Sequence, residues 1–287
     1  MDWEKAKKTF IYLLIVLNIL LFVANYVMGS KYKLTQKEEA AVHQVLSSNG
    51  MGIYCNLIKE NKPMRALGVS AADFEDEEIK NLFFDKDEEV STTLEFEQIV
   101  FENQEKRLEV QENFVKFYCY DGMGRIADFG RQTAKDAAEE FVNKKRMGDE
   151  KNSLQKLYQL DDRYVFEFDG TYSGYKVFSS KKRVEVDKNG VVYCEMTYYT
   201  PEGFTGDKLE ICGSDEALLS VLYKVKEEGS AVGRYVEDIE IGYDLPEESE
   251  NYNPADIKLV PCYRVYVSGA EEPYKVNAYT NSIIENQ

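Results

Sequence analysis

The chain has 287 residues, 44% of them hydrophobic, with 21 Tyr, 15 Phe and a net charge of −17. That length and aromatic content exclude a disordered tail and leave room for one large or two ordinary domains. An acidic surface of this kind repels nucleic acid, so no nucleic-acid partner is expected.

The first element sets the compartment. From Thr9 to Met28 no charged residue occurs. About twenty residues at ~1.5 Å rise make ~30 Å of helix, the hydrocarbon thickness of a bilayer. The run is longer than the apolar core of a cleaved signal peptide, and no A-x-A-like site follows it, Val27-Met28-Gly29 being a poor one. The expectation is therefore an uncleaved membrane anchor: residues 1–8 as a tail, 9–28 as the span and 29–34 as a linker. Lys5, Lys7 and Lys8 at one end balance Lys31, Lys33 and Lys37 at the other, so the positive-inside rule leaves the orientation open. Ile11, Asn18 and Asn25 recur at seven-residue steps and share a helix face. An amide in hydrocarbon favours a partner helix by about 0.6–2 kcal/mol, which makes this face a candidate partner-binding surface. The competing reading is that Asn18 is tolerated alone and Asn25 lies near the headgroups.

Beyond the anchor, Thr35 and Glu38 form a capping box that starts a helix to Ser48. Met51–Ile58 and Met64–Val69 read as short strands, and Phe74–Phe84 as a short helix. Leu94–Phe101, Leu108–Gln111 and Phe114–Tyr120 have strand composition, followed by a turn at Asp121–Gly124 and a short strand at Ile126–Phe129. A helix opening at Thr133–Asp136 and ending near Gly148 presents Ala134, Ala138, Phe141 and Val142 on one face. Tyr164–Phe168, Tyr175–Val186 and Val191–Tyr199 are strands, with Asn189-Gly190 a hairpin signal. Ser214 starts a helix with the stripe Leu218, Leu219, Leu222 and Val225, closed by Gly229. Tyr235–Tyr243, Ile257–Val267 and Tyr274–Tyr279 supply the last strands.

The pattern predicts an α+β fold: one transmembrane helix, then a two-lobed domain of antiparallel sheets with packed helices, the lobes being 35–130 and 131–287. No Ser-His-Asp or Cys-His nucleophile set can be completed, the 52 acidic residues always offer carboxylate pairs but spread as evenly as solvated surface does, and no cofactor is expected. The single histidine, His43, sits mid-helix without companion ligands. The five cysteines (Cys55, Cys119, Cys194, Cys212, Cys262) form no CxxC, and those in strand-like runs read as buried apolar side chains. Asp85–Glu89 lacks the Gly and the twelfth-position acid of a calcium loop, and Gly122-x-Gly124 suits a hairpin turn better than a phosphate cradle. An aromatic carbohydrate platform built from the many tyrosines is the remaining alternative.

Both ends of the chain carry a more specific signal. Asp2, Trp3, Lys5 and Lys7 precede an apolar run containing Leu17-Asn18-Ile19. Near the C-terminus, Leu259–Val265, with Pro261 and Arg264, is followed by Tyr274-Lys275-Val276-Asn277-Ala278-Tyr279-Thr280. This resembles the YycI (WalI) family, single-pass membrane regulators of the WalK/WalR (YycG/YycF) two-component system, which governs cell-wall homeostasis. Asn281 stands where the family has Gly, and Tyr263 where Trp is common. The resemblance implies a non-enzymatic signal-transduction protein of the cell membrane, with a cytoplasmic N-terminus and an extracytoplasmic YycH/YycI-like domain. It further implies contact with a WalK-type sensor histidine kinase and a YycH-type protein through transmembrane helices. The alternative is an extracellular module that senses a wall fragment or peptide, with the helix as passive anchor.

Overall fold

The computed structural model describes residues 3–72, 74–146, 151–246 and 257–285; for residues 24–28 and 30 it describes the backbone alone. The expected helix end near Gly148 lies outside the described residues. The polypeptide opens with α1 (Trp3–Lys31), α2 (Gln36–Ser48) and the two-residue β1 (Gly52–Ile53). Then come β2 (Met64–Ala71), α3 (Asp76–Phe83), β3 (Ser91–Glu95), β4 (Gln98–Glu102), β5 (Lys106–Gln111), β6 (Phe114–Cys119) and α4 (Arg131–Lys144). The long strands β7 (Lys151–Leu160), β8 (Arg163–Tyr172), β9 (Tyr175–Asp187), β10 (Gly190–Thr197) and β11 (Tyr199–Leu209) precede α5 (Ser214–Glu228). The chain closes with β12 (Tyr235–Asp244), β13 (Ile257–Val267), β14 (Tyr274–Asn277) and β15 (Ile283–Ile284).

These elements form two compact units whose chain segments interleave. Unit 1 comprises residues 1–64, 209–240 and 265–283, and unit 2 comprises 65–208, 241–264 and 284–287. The division expected at 130/131 falls inside unit 2.

In unit 1, α2 begins as its sequence dictates. The Thr35 hydroxyl accepts the Glu38 N–H, and the Glu38 carboxylate accepts the Thr35 N–H at 2.8 Å. Val42 and Leu46 are its buried face. The opening of α5 differs from expectation. Gly213 is the cap, its N–H donating to Glu216 at 3.0 Å, while the buried Ser214 hydroxyl donates to the Ile58 carbonyl at 2.9 Å. Ala217 and Val221 join Leu218, Leu222 and Val225 in its core stripe, and Leu219 is only half-buried. Of the strand expected over Met51–Ile58 only Gly52–Ile53 pairs, parallel to the start of β12. Tyr274–Tyr279 is shortened because Asn277 turns the chain: its Oδ1 accepts the Tyr279 N–H, and its carbonyl accepts the Asn281 N–H.

Unit 2 is a largely antiparallel sheet ordered β11-β2-β13-β12-β9-β10-β6-β5-β4-β3, with β8 and then β7 added beyond β9 and a parallel pairing between β12 and β9. One sheet face is apolar. Phe117, Cys119, Phe166, Val184, Cys194 and Met196 pack beneath Phe83 of α3 and Ala134, Ala138, Phe141 and Val142 of α4. Phe83 lies 5.0 Å, centroid to centroid, from Phe117, which stacks on Phe141 at 6.1 Å. The segment expected as one strand over Leu94–Phe101 is two, folded back at Phe96-Glu97, where both residues have positive φ (46° and 67°). Ile126–Phe129 forms no strand; its Ile126 N–H instead donates to the Lys188 carbonyl. Gly122 and Gly190 are needed here because a Cβ at Gly122 would stand 2.3 Å from the Asn189 carbonyl oxygen, and one at Gly190 2.7 Å from that of Gly124. Two turns thus lie against each other, which is what the glycine spacing serves.

Candidate functional site

The apolar character of α1 is compatible with a single-pass membrane anchor. Its segment Trp3–Val23 is 21 residues long and apolar enough to cross a membrane, and none of it is buried in the chain. A continuous exposed apolar surface of that size is stable only against lipid or another helix. On it, Ile11 and Asn18 are both exposed. The Asn18 Nδ2 donates to the Leu14 carbonyl at 2.8 Å, one turn back. That bond uses one of the amide's two N–H donors, so its second N–H and its carbonyl oxygen can serve a neighbouring helix. The side chains of Asp2 and Asn25 lie outside the described residues. Trp3, Lys5 and Lys7 are exposed at the start of the helix, as interfacial anchors are.

The far end of α1 is fastened to unit 1. Lys31 Nζ donates to Glu210 Oε1 at 2.6 Å, and the Tyr32 hydroxyl reaches the same oxygen at 3.4 Å. Lys33 bridges antiparallel to Glu60, the Leu34 N–H donates to the Lys59 carbonyl, and the Asn61 N–H donates to the Tyr32 carbonyl. Lys31–Leu34, the end of the expected linker, are therefore a hydrogen-bonded strap. The bond to Lys31 lowers the Glu210 pKa, and the bond to Glu210 raises that of Lys31. A depressed carboxylate stabilises the folded state above its ordinary value of 4.5 and loses that contribution as pH falls through the depressed value. A raised lysine contributes below 10.5 and loses that contribution above it. Carbon-detected NMR of the Glu210 carboxyl is accordingly expected to titrate below 4.5, and to return to the ordinary value in Lys31→Gln.

The C-terminal motif residues are structural. Arg264 is 2% exposed and makes a two-pronged pair with the equally buried Asp169, Nη1–Oδ1 at 3.0 Å and Nη2–Oδ2 at 2.5 Å. Its guanidinium lies 4.0 Å from the centroid of the buried Phe178 ring. Asp169 and Phe178 arrive there because the β8–β9 register slips after Asp169, whose partner is Lys181 while that of Gly170 is Val177. No local signal in the sequence links Asp169 to Arg264, 95 positions apart. Pro261 is buried in β13. The Tyr274 hydroxyl donates to Glu228 at 2.5 Å, with burial raising its pKa to about 12. Asn281 has φ 56°, which explains why Asn can stand where the family carries Gly.

Among the described residues no cluster of three or more His, Cys, Asp or Glu could hold a metal. His43 is exposed on α2. Cys55, Cys119 and Cys194 are free thiols. Burial raises the pKa of Cys55, Cys119 and Cys194, and takes Cys212 to about 12, which keeps these four protonated and poorly nucleophilic.

One exposed apolar helix joined to a large sheet-rich α+β domain defines the class of protein and is compatible with a single-pass membrane anchor. The chain belongs to the YycI family: the family model described as YycI protein matches residues 29–279. That family is regulatory and is linked to the WalK (YycG) two-component system. A crystal structure of an uncharacterized protein from Eubacterium rectale is similar in fold, with TM-score 0.53 and 13% identity over 83% of this chain and 90% of that one. The Bacillus megaterium YpeB C-terminal domain matches at TM-score 0.40 and 13% identity, over 74% of this chain and 96% of that one. No curated protein matches.

Proposed function

We propose that this protein is a non-enzymatic regulator that biases a WalK/YycG-type sensor histidine kinase, together with a YycH-type partner, through α1 and its own domain. The N-terminus is cytoplasmic and the domain extracytoplasmic, as the family implies. What supports the reading is family membership over most of the chain, joined to an uncovered apolar helix bearing Asn18. Ile11, Asn18 and Asn25 form the contact face. A partner can shift a kinase's equilibrium only by contacting its two states unequally. One helix–helix hydrogen bond of about 1 kcal/mol changes a population ratio about fivefold, a tuning effect.

The test is Asn18→Leu, which keeps the helix apolar and removes the amide. Expected are normal membrane insertion, weakened co-purification with the kinase, and an approximately fivefold shift in kinase-dependent expression. Undiminished recovery of the complex together with unchanged expression would overturn the role of this face.

A further inference from the structure

Unit 2 ends on a strand that is unguarded. In the described sheet β3 pairs only with β4, so its other edge is open. Ser91–Glu95 contains no Lys, no Pro and no bulge against β4, the devices by which natural edges avoid further pairing. Glu95 and Gln98 flank the two-residue turn and form its narrow hydrogen-bonded pair. Alternation then turns the N–H and C=O of Thr92 and Leu94 outward.

The side chains point the same way. Leu94 pairs with Ile99, Ile99 with Val110, and Val110 with Val115, one row running across the sheet. Val110 and Val115 are buried and Ile99 is half-buried, but Leu94 is 76% exposed. At the turn Phe96 is 97% exposed with φ 46°, a left-handed conformation that is costly for a bulky side chain. Phe96 thus buries almost none of its ring against the described residues, on a turn that suits Asn-Gly.

The charge around this edge selects its occupant. Glu95, Glu102 and Glu109 share the single guanidinium of Arg107, at 2.9, 3.4 and 2.8 Å. At the other end of β3, beside Ser91, an open groove of about 600 Å³ is lined by Glu88, Glu89, Glu102 and Glu105. Lys106 pairs with Glu88, at 2.5 Å. Glu97 adds an exposed carboxylate at the tip. A second copy of this acidic chain would be repelled here, whereas a cationic strand is attracted.

We propose that the free edge of β3 is a docking site for an extended, lysine- or arginine-rich segment of a partner protein. The segment adds an antiparallel or parallel strand, covers Leu94 and Phe96, and pairs its cations with the flanking glutamates. This site is on the domain and stands whether or not α1 contacts a kinase.

The probe is a labelled heptapeptide of alternating Lys and Val, titrated by fluorescence polarisation against the full chain in detergent micelles at about 0.15 M salt. Its control is a heptapeptide of equal charge with Pro in place of Val. Thr92→Pro removes an outward N–H without touching the β4 ladder. Phe96→Asn with Glu97→Gly supplies residues suited to the turn, so this variant keeps or raises its melting temperature while losing the aromatic anchor. Saturable binding of the Lys-Val peptide is expected, weakened about tenfold or more by either variant and absent for the Pro control. Equal binding of the two peptides, or no loss in either variant, overturns the proposal in favour of unspecific charge attraction. Absence of peptide binding overturns it, and sedimentation showing a dimer abolished by Thr92→Pro assigns the edge to a second copy instead.

Discussion

Replacing Arg264 by Leu is expected to destabilise unit 2 by about 3–5 kcal/mol, the usual cost of leaving a buried charge without its partner. Asp169 is 2% exposed and holds the guanidinium in two parallel bonds, so the variant strands a carboxylate in the sheet interior. The lost stacking on Phe178 adds to this. Urea unfolding followed by fluorescence should show the midpoint falling with an unchanged slope. The double variant Arg264→Leu with Asp169→Leu is expected to recover most of the loss, because a fully apolar pair has no stranded charge. A single variant as stable as the parent would mean that water reaches Asp169. If the double variant were worse than the single, shape at this site would outweigh charge.

This pair also shows where sequence reading stops. Local signals are informative: a charge-free run makes α1, Thr35 and Glu38 cap α2, and Asn189-Gly190 marks the hairpin between β9 and β10. The strands β7 and β11 have no such local signal. Both carry many exposed or half-buried polar residues along their lengths, and β11 contains Pro201, Gly203 and Gly206, so neither shows an apolar alternation. Leu94–Phe101 read as one strand because Phe96-Glu97 carries none of the Gly, Asn or Asp that normally mark a two-residue turn. The candidate contact residues Ile11 and Asn18 were visible as a helical face. Lys31–Glu210, 179 positions apart, was not, since nothing local binds the end of α1 to the loop before α5.

Exchanging residues 9–28 for an unrelated leucine-rich span of equal length is expected to abolish regulation of the kinase while leaving the domain folded and membrane-bound. The strap is kept in this exchange: Lys31 on Glu210, the Lys33–Glu60 bridge and the Leu34 and Asn61 bonds hold α1 to unit 1 in both proteins. Only the lipid-facing surface changes, with Ile11, Asn18 and Asn25 removed together. A leucine surface offers a neighbouring helix neither a hydrogen bond nor a distinctive packing face, so it cannot favour one kinase state over another. Co-purification from membranes and expression of kinase-dependent genes measure the two consequences separately. Loss of both supports a working helix. Full regulation with the foreign span would make α1 a passive anchor, and would place the regulatory contact on the domain, where the open edge of β3 is the first surface to probe.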